Sequence, residues 1–262
     1  MTRGRRRRVS GLAVYTVLLF LFLFSPIFFV VLFSFNKTAG LTFPFHGFSF
    51  RWYRAVFSSP TYRDSIVASL RVALVTVLVV VVVGTLAGIG LTRHAFRGSG
   101  AARGLLLFPA ALPGLFVGIA LLSFFVQTKV TLSLWTVTAG HLVYVLPYFV
   151  LVVTSRLQRF DYLLEEAARD LGAGPWTTFR RVTLPLIAPS LIAGALVVFS
   201  LSWDEVFITF FTIGAQNTLP LVIYSTVKQS VDPSVNAIST LLLAGSLVFI
   251  FSVRRLVVDL QQ

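Results

Sequence analysis

Six apolar segments, each of about 20 residues or more, dominate this chain and are long enough to cross a bilayer as helices. They lack the alternation of polar and apolar residues that marks strands, and the run Val77–Val83 holds only valine and leucine. Because lipid offers no hydrogen-bond partners, the backbone of each segment must satisfy itself, as it does in a helix. The sequence therefore predicts an all-α, polytopic membrane protein with six transmembrane helices, near residues 11–35, 66–92, 104–126, 132–155, 187–212 and 235–253.

The distribution of arginine predicts the orientation of these spans. Cytoplasmic loops of membrane proteins carry more Lys and Arg than outer loops do. If the six spans alternate in direction, Arg5–Arg8, Arg93 and Arg180–Arg181 all fall on one side of the membrane. That side is predicted to be the cytoplasm, so both the N-terminus and the C-terminus are predicted to be cytoplasmic.

A single transmembrane domain is predicted over residues 11–255. A basic tail of residues 1–10 and a short tail of residues 256–262 flank it in the cytoplasm, and a cytoplasmic loop of residues 156–186 connects the fourth and fifth spans. The Arg5–Arg8 run also suits the start of a signal peptide. The apolar run behind it is too long for a signal and no cleavage pattern follows, so we expect a retained first helix.

The net charge of +13 raises the alternative of a nucleic-acid-binding protein. The basic residues lie in short flanks of apolar segments rather than on one folded face, which favours contact with anionic lipid headgroups. The composition agrees, because 56% of the residues are hydrophobic and only 12% are charged. We predict that membrane lipid is a partner and that nucleic acid is not.

A polar, helix-forming segment interrupts the apolar pattern between the fourth and fifth spans. The pair Gly174-Pro175 and the preceding Gly172 predict that its helix ends near Gly172. In a chain with so little charge we interpret the segment as a docking element, the alternative being a solvated connector. It carries four of the chain's nine acidic residues, Asp161, Glu165, Glu166 and Asp170.

The segment contains Glu166-Ala167-Ala168, then Gly172 after three residues, then Val182-Thr183-Leu184-Pro185 after nine more. This spacing resembles the EAA signature of the permease subunits of bacterial ABC importers, a family with the MetI-like permease fold. The one departure is Val182, where that family more often has isoleucine. The resemblance implies that residues 161–175 form a coupling helix that inserts into a groove of an ATPase subunit.

The resemblance also implies a role for individual residues of this loop. The two alanines would permit close contact with the ATPase, and the acidic residues would pair with its basic groups or helix ends. The rigid Leu-Pro pair would carry motion into the fifth span. The residues assigned to ATPase coupling are Glu165, Glu166, Ala167, Ala168, Asp170, Gly172, Leu184 and Pro185.

Further motifs narrow the resemblance to the polyamine-importer permeases, of the PotC and PotI type found in spermidine and putrescine systems. Relatives that import ferric iron, thiamine or phosphonates share several of these motifs and remain the alternative cargoes. The resemblance implies a bacterial plasma (inner) membrane location, an ATPase dimer, a second homologous permease subunit and an extracytoplasmic substrate-binding protein. The motifs are Arg93–Gly98, Phe108-Pro109, Leu112-Pro113-Gly114, His141, Pro147-Tyr148, Leu171-Gly172-Ala173, Trp176, Phe179, Thr218-Leu219-Pro220 and Asn236-Ala237.

Nucleotide chemistry is not expected of this chain itself. A phosphate-binding loop needs a glycine-rich run ending in Gly-Lys-Ser or Gly-Lys-Thr, and Lys37, Lys129 and Lys228 have no such context. The absence of cysteine excludes thiolate metal sites and cysteine nucleophiles. We predict a transport subunit that is not an enzyme and binds no cofactor or metal, with ATP and Mg bound by the partner ATPase.

Two adjacent acids, Asp204 and Glu205, lie within the predicted fifth span. An acid at mid-membrane costs about 2.5–3.5 kcal/mol on insertion scales, so a functional, inward-facing role is the default interpretation. On a continuous helix the two side chains point about 100° apart, and we favour Asp204 for the substrate pathway. The alternative is that the acids pair with a partner permease or cap a helix break, and it weighs more heavily for Glu205.

Aromatic residues near this pair would suit a cationic substrate, because aromatic faces attract ammonium groups. The predicted substrate pathway thus comprises Asp204, Glu205, Trp203, Tyr144 and Tyr148. Such a pathway suits a small cation, and the resemblance to ABC importer permeases implies that import occurs by alternating access.

Three other features carry weaker predictions. His141 is interpreted as an interhelical hydrogen-bonding group rather than a ligand. Segment 36–65 is expected to form an interfacial helix, and segment 213–234 a half-buried outer turn, with both meeting the binding protein. The rival class is an ion-coupled secondary transporter, which we disfavour because the sequence shows neither internal repeats nor broken helices.

Overall fold

The computed structural model of the chain describes residues 11–38, 45–93, 96–229 and 233–259, with the side chains of residues 248–259 outside the description. In these ranges the regular backbone is helical, apart from one isolated antiparallel bridge between Asn36 and Phe48. The all-α prediction is therefore confirmed for the described part. The predicted tail 1–10 lies outside the described residues, and the tail 256–262 is described, as helix, only to Asp259.

One compact unit contains helices α1, Gly11–Ser34, and α2, Arg51–Ser58, together with residues 226–251. Aromatic side chains of α2 form hydrogen bonds with the C-terminal end of α1 and the residues just after it. The hydroxyls of Tyr53 and Ser34 lie 2.7 Å apart, and the indole N–H of Trp52 donates to the Asn36 carbonyl over 2.8 Å. The helix predicted within segment 36–65 is thus present, while its place on the membrane surface stays a prediction.

The second unit is built on three long helices that pack together: α3, Pro60–Arg93, α6, Leu134–Leu157, and α9, Leu184–Trp203. Phe149 of α6 lies at their centre with none of its side chain exposed. A Cβ added to Gly84 of α3 would lie 2.5 Å from one edge of that ring, and one added to Gly194 of α9 would lie 2.9 Å from the other. The two glycines therefore let both helices approach α6 closely.

The predicted span 104–126 is not a single straight helix. It consists of α4, Ser99–Leu107, a 3₁₀ turn, Phe108–Ala111, and α5, Gly114–Gln127, with a bend of 108° between the two parts. Leu112 is extended at the bend because proline disfavours helical backbone in the residue before it, here Pro113. One expected span is therefore a broken pair of helices.

The predicted span 187–212 is also broken, after Trp203. The helix resumes as α10, Phe207–Thr212, so the expectation that the acid pair lies on one continuous helix is wrong. The predicted outer turn in segment 213–234 is likewise corrected, because half of it forms α11, Leu219–Gln229, whose first residues are buried. The last helix is α12, Ser234–Asp259.

The described residues contain four helices that are long and apolar enough to span a membrane, or five if the bent pair counts as one span. They are α1, α3, α6 and the continuous run Pro175–Trp203 that ends in α9. The apolar part described for α12, Ser234–Leu247, is shorter than a span. Six spans are therefore supported only in part, as an all-helical protein with four to five spanning helices.

A pair of glycines on α3 allows a matched test of the close packing. We expect Gly84→Ala to destabilise the protein by about 1–3 kcal/mol, because the new methyl group would overlap a ring that Gly194 confines from the other side. Gly90→Ala in the same helix is the control, since nothing lies within 4 Å of its added Cβ. Thermal unfolding of the purified protein in detergent measures both, and equal midpoints would contradict the packing described above.

Candidate functional site

The polar loop between α6 and α9 contains a short helix, α7, Leu163–Asp170. Its end has the hydrogen bonds of a Schellman motif: the Gly172 N–H donates to the Arg169 carbonyl and the Ala173 N–H to the Ala168 carbonyl. Gly172 has a φ of +88°, which a side chain would strain. The prediction that this helix ends near Gly172 is confirmed.

One face of α7 is left uncovered by the residues that the structure describes. Glu166, Ala167 and Asp170 are exposed, and so are two large apolar residues, Leu163 at 68% and Leu171 at 90%. An exposed mixture of apolar groups and acids on a well-capped helix is suited to binding a partner. The structure therefore brings several of the predicted coupling residues to one surface, and whether an ATPase binds there remains a prediction.

Glu165 points the other way, and its predicted pairing with basic groups of a partner is corrected by its position. It is only 4% exposed and lies among side chains of its own chain. Its Oε1 is 2.5 Å from Nη2 of Arg93, the last residue of α3, and 2.5 Å from the hydroxyl of Thr183. A second arginine, Arg169, lies 3.9 Å from Oε2. Glu165 is thus an internal contact of the loop rather than part of its exposed face.

The chain reaches α9 through a short helix, α8, Pro175–Thr178, and one π-helical turn, Phe179–Thr183. Pro185 has no N–H to donate to the carbonyl four residues earlier, which opens the helical ladder at this point. Leu184 packs against the core of the second unit, while Pro185 is exposed. The Leu-Pro pair therefore stands at a change of helical pitch where the loop enters α9.

A cavity of about 600 Å³ lies beside α7. The Arg93 and Glu165 pair is part of its lining, so the cavity is polar on one side. Its lining residues are Ile89, Thr92, Arg93, Tyr162, Glu165, Glu166 and Arg169.

The second candidate region is the break between α9 and α10. Asp204 is exposed and ends α9, where its N–H donates to the Ser200 carbonyl. Glu205 is half-buried, and its Oε1 accepts a hydrogen bond of 2.9 Å from the N–H of Ile208 in α10. The two acids thus differ in kind: Glu205 caps a helix, as the alternative interpretation held, whereas Asp204 presents its carboxylate outside the packed core.

Both broken spans meet at this place. A Cβ on Gly114, the first residue of α5, would lie 3.4 Å from Oε1 of Glu205. The Tyr148 hydroxyl donates to the Ala110 carbonyl in the 3₁₀ turn over 3.4 Å, and its ring packs against Tyr144 at 5.7 Å. The structure therefore gathers Glu205 and both predicted tyrosines around the two breaks.

The predicted aromatic residue beside the acids, Trp203, packs against its own helix. Trp203 is half-buried and stacks on Phe199, one turn earlier in α9, with ring centres 5.8 Å apart. It stands next to the exposed Asp204 in the chain. Whether these five residues line a substrate pathway remains a prediction.

His141 joins the two sides of the break. Its side chain is 1% exposed, with Nδ1 2.8 Å from the Ser202 hydroxyl of α9 and Nε2 3.0 Å from the Thr209 hydroxyl of α10. The prediction of an interhelical hydrogen-bonding role is confirmed. Ser202 and Thr209 themselves were missed, although small hydroxyl residues in apolar spans are known to bond across helices. In the part of the chain that the structure describes, no three His, Asp or Glu side chains cluster as metal ligands.

Comparison with known proteins identifies the family of this chain. A family described as the binding-protein-dependent transport system inner membrane component matches residues 80–261, which is more than half of the chain. The chain belongs to this family. It is therefore a permease of an ABC importer and a multi-pass protein of the plasma membrane.

Curated relatives of the permease extend over most of its length. It is 36% identical over 231 residues to the spermidine/putrescine transport system permease protein PotC of Haemophilus influenzae, covering 87% of this chain and 89% of the relative. It is 34% identical over 234 residues to the putrescine transport system permease protein PotI of Escherichia coli strain K12, covering 86% and 83% respectively. The predicted resemblance to permeases of the PotC and PotI type is confirmed.

Solved structures show that the permease shares its fold with other ABC transporters. A bacterial ABC transporter involved in the import of the acidic polysaccharide alginate matches with a TM-score of 0.77 at 16% identity, covering 97% of this chain and 99% of that one. A bacterial alginate ABC transporter in complex with a periplasmic protein bound to an alginate pentasaccharide matches with a TM-score of 0.71 at 15% identity, covering 92% and 90%. Similarity at this identity concerns the fold alone.

Helix breaks do not distinguish the permease from the rival class, the ion-coupled secondary transporters. The sequence predicts unbroken spans, but two of the spans of the permease are broken. The family match, rather than the helix geometry, is what assigns the permease to ABC importers.

Proposed function

We propose that this permease belongs to an ATP-driven importer of polyamines such as spermidine and putrescine, and moves them by alternating access. The observation that supports a polyamine cargo is the exposed carboxylate of Asp204 at a break in a membrane span, in a chain whose relatives are named for spermidine and putrescine. Polyamines are chains of ammonium groups, which need spaced anions along their path.

The physical argument starts from the cost of the break. Unpaired backbone and a carboxylate are not tolerated against lipid, so a broken span lines either a protein contact or a water-filled pathway. Asp204 is exposed in the isolated chain, and in the assembled transporter it faces the pathway between this permease and a second, homologous one. Trp203, Tyr144 and Tyr148 supply aromatic faces along the pathway. Glu205 stabilises the break by capping α10.

The topology that suits this function has six spans with both termini in the cytoplasm. Helix α12 is 26 residues long, enough at 1.5 Å per residue to be the sixth span. Residues 11–255 then form one transmembrane domain, with residues 1–10 and 256–262 as cytoplasmic tails among anionic lipid headgroups. Nucleic acid has no part in this arrangement.

The energy of ATP hydrolysis is supplied by a separate ATPase. The exposed face of α7 inserts into a groove of an ATPase subunit, two of which form a dimer that binds and hydrolyses ATP with Mg. The permease itself binds no cofactor and catalyses no reaction. Closure of the ATPases moves residues 161–175, and Leu184-Pro185 passes that motion to α9.

On the outer side, α2 and residues 213–234 receive the substrate-binding protein.

An uptake assay tests the proposal. The permease is reconstituted in liposomes with its partner permease, ATPase and binding protein, and labelled putrescine or spermidine is supplied on the outside with ATP within. We expect uptake that requires both ATP and the binding protein. Ferric iron, thiamine and a phosphonate serve as alternative cargoes in parallel, and uptake of one of them without polyamine uptake would contradict the polyamine assignment.

A further inference from the structure

We infer that Arg93 and Glu165 form an internal joint through which α7 moves α3 together with α9. The inference rests on the proposed coupling of α7 to an ATPase and adds a second route beside Leu184-Pro185. We call this group of side chains the Glu165 joint. It comprises Arg93, Glu165, Arg169 and Thr183.

The joint connects three elements at one carboxylate. Glu165 belongs to α7, Arg93 is the last residue of α3, and Thr183 is the last residue of the π-helical turn before α9. Oε1 accepts from both the Arg93 guanidinium and the Thr183 hydroxyl at 2.5 Å. Because α3 and α9 also pack on α6, displacement of α7 acts on the centre of the bundle from two sides at once.

The surroundings of the carboxylate make the contact stiff. Thr183 has no exposed surface and Glu165 is 4% exposed, so water competes little for their bonds. The guanidinium of Arg93 lies 5.6 Å from the ring centre of Tyr162 and 6.0 Å from that of Phe160, which are the residues that lead from α6 into α7. The arginine is therefore held by the loop as well as by the acid.

Arg93 depends strongly on Glu165. Among the described residues its Nε is buried without a hydrogen-bond partner, so the guanidinium is held in the loop through the contact of Nη2 with Glu165. Removing the charge of Glu165 leaves a partly buried cation beside two aromatic rings, without its acidic partner. Such a change loosens α7 from α3 without altering Glu166, Ala167 or Asp170 on the exposed face.

The test compares Glu165→Gln and Arg93→Gln in the reconstituted complex. We expect the amount of co-purified ATPase to stay within about twofold of the wild type, while the number of ATP molecules hydrolysed per imported polyamine rises about tenfold, the scale of a broken coupling contact. Arg93→Lys should restore most of the coupling, because the ion pair uses a single nitrogen of the guanidinium. Arg97→Gln, on the exposed cytoplasmic side beyond α3, is the matched control and should behave as the wild type.

Three outcomes would overturn the inference. Unchanged ATP cost in both glutamine variants would show that the joint transmits nothing. Loss of co-purified ATPase in proportion to lost uptake would mean that Glu165 serves docking instead. Failure of Arg93→Lys to recover coupling, with normal complex yield, would exclude the ion pair as the link. A wild-type complex that imports no polyamine would instead contradict the proposed function, so the two failures are distinct.

Discussion

Asp204→Asn is expected to reduce ATP-dependent polyamine uptake about 100-fold, with normal yield of the assembled complex. The reason is electrostatic: the carboxylate is exposed at the α9 break and would meet an ammonium group of a substrate that displaces water from the pathway, where loss of one charge costs about 3 kcal/mol. The amide keeps the size of the side chain, so the fold and the helix end should survive. Initial uptake rates in liposomes, together with ATPase co-purification, measure both effects.

Two comparisons make this result interpretable. Ser200→Ala, also exposed and one turn earlier on α9, should leave uptake unchanged. Glu205→Gln should lower complex stability as well as uptake, since Glu205 caps α10 through the Ile208 N–H. If Asp204→Asn imports polyamine at the wild-type rate, Asp204 has no substrate role and the pathway lies elsewhere.

The second large effect is expected at the exposed face of α7. Glu166→Lys should lower the amount of ATPase that co-purifies with the permease at least about tenfold, because a charge reversal at the centre of a binding surface introduces repulsion as well as losing attraction. Uptake should fall with it. Quantitative gels of the purified complex, at two salt concentrations, provide the measurement, and the loss should lessen as salt screens the repulsion.

Gln158→Lys is the control for this variant. It adds positive charge at an exposed position just beyond α6 and lies outside the predicted docking face. Its complex should retain the ATPase. A wild-type ATPase yield in Glu166→Lys would rule out α7 as the docking element.

The long spans and the end of α7 were predictable because both depend on local sequence. Hydropathy locates α1, α3 and α6 within a few residues, and the positive φ of Gly172 requires a residue without a side chain. The direction in which Glu165 points was not predictable. Its partner Arg93 is 72 residues away, and nothing in the local pattern distinguishes Glu165 from its neighbour Glu166.

The breaks in two spans could be predicted from the sequence only in part. Leu112-Pro113 carries a local signal, because proline disfavours helical backbone in the residue before it, but that signal does not specify a bend of 108°. The break after Trp203 has no proline or glycine, and the acid pair that marks it suits a substrate site and a helix cap equally well. Its geometry depends on the contacts of α10 with α5 and α6, which exist only in the folded bundle.

The hydrogen bonds around His141 favour one tautomer of its imidazole ring. Thr209 has one hydroxyl proton and gives it to the carbonyl oxygen of Glu205 over 3.0 Å, so towards Nε2 it can only accept. This arrangement favours the tautomer with its proton on Nε2, in which Nδ1 accepts from Ser202. In that tautomer donation runs one way, from Ser202 through the imidazole to the backbone of the acid pair. A replacement that both donates and accepts, such as asparagine, can preserve this polarity, whereas alanine would leave two hydroxyls facing an empty space.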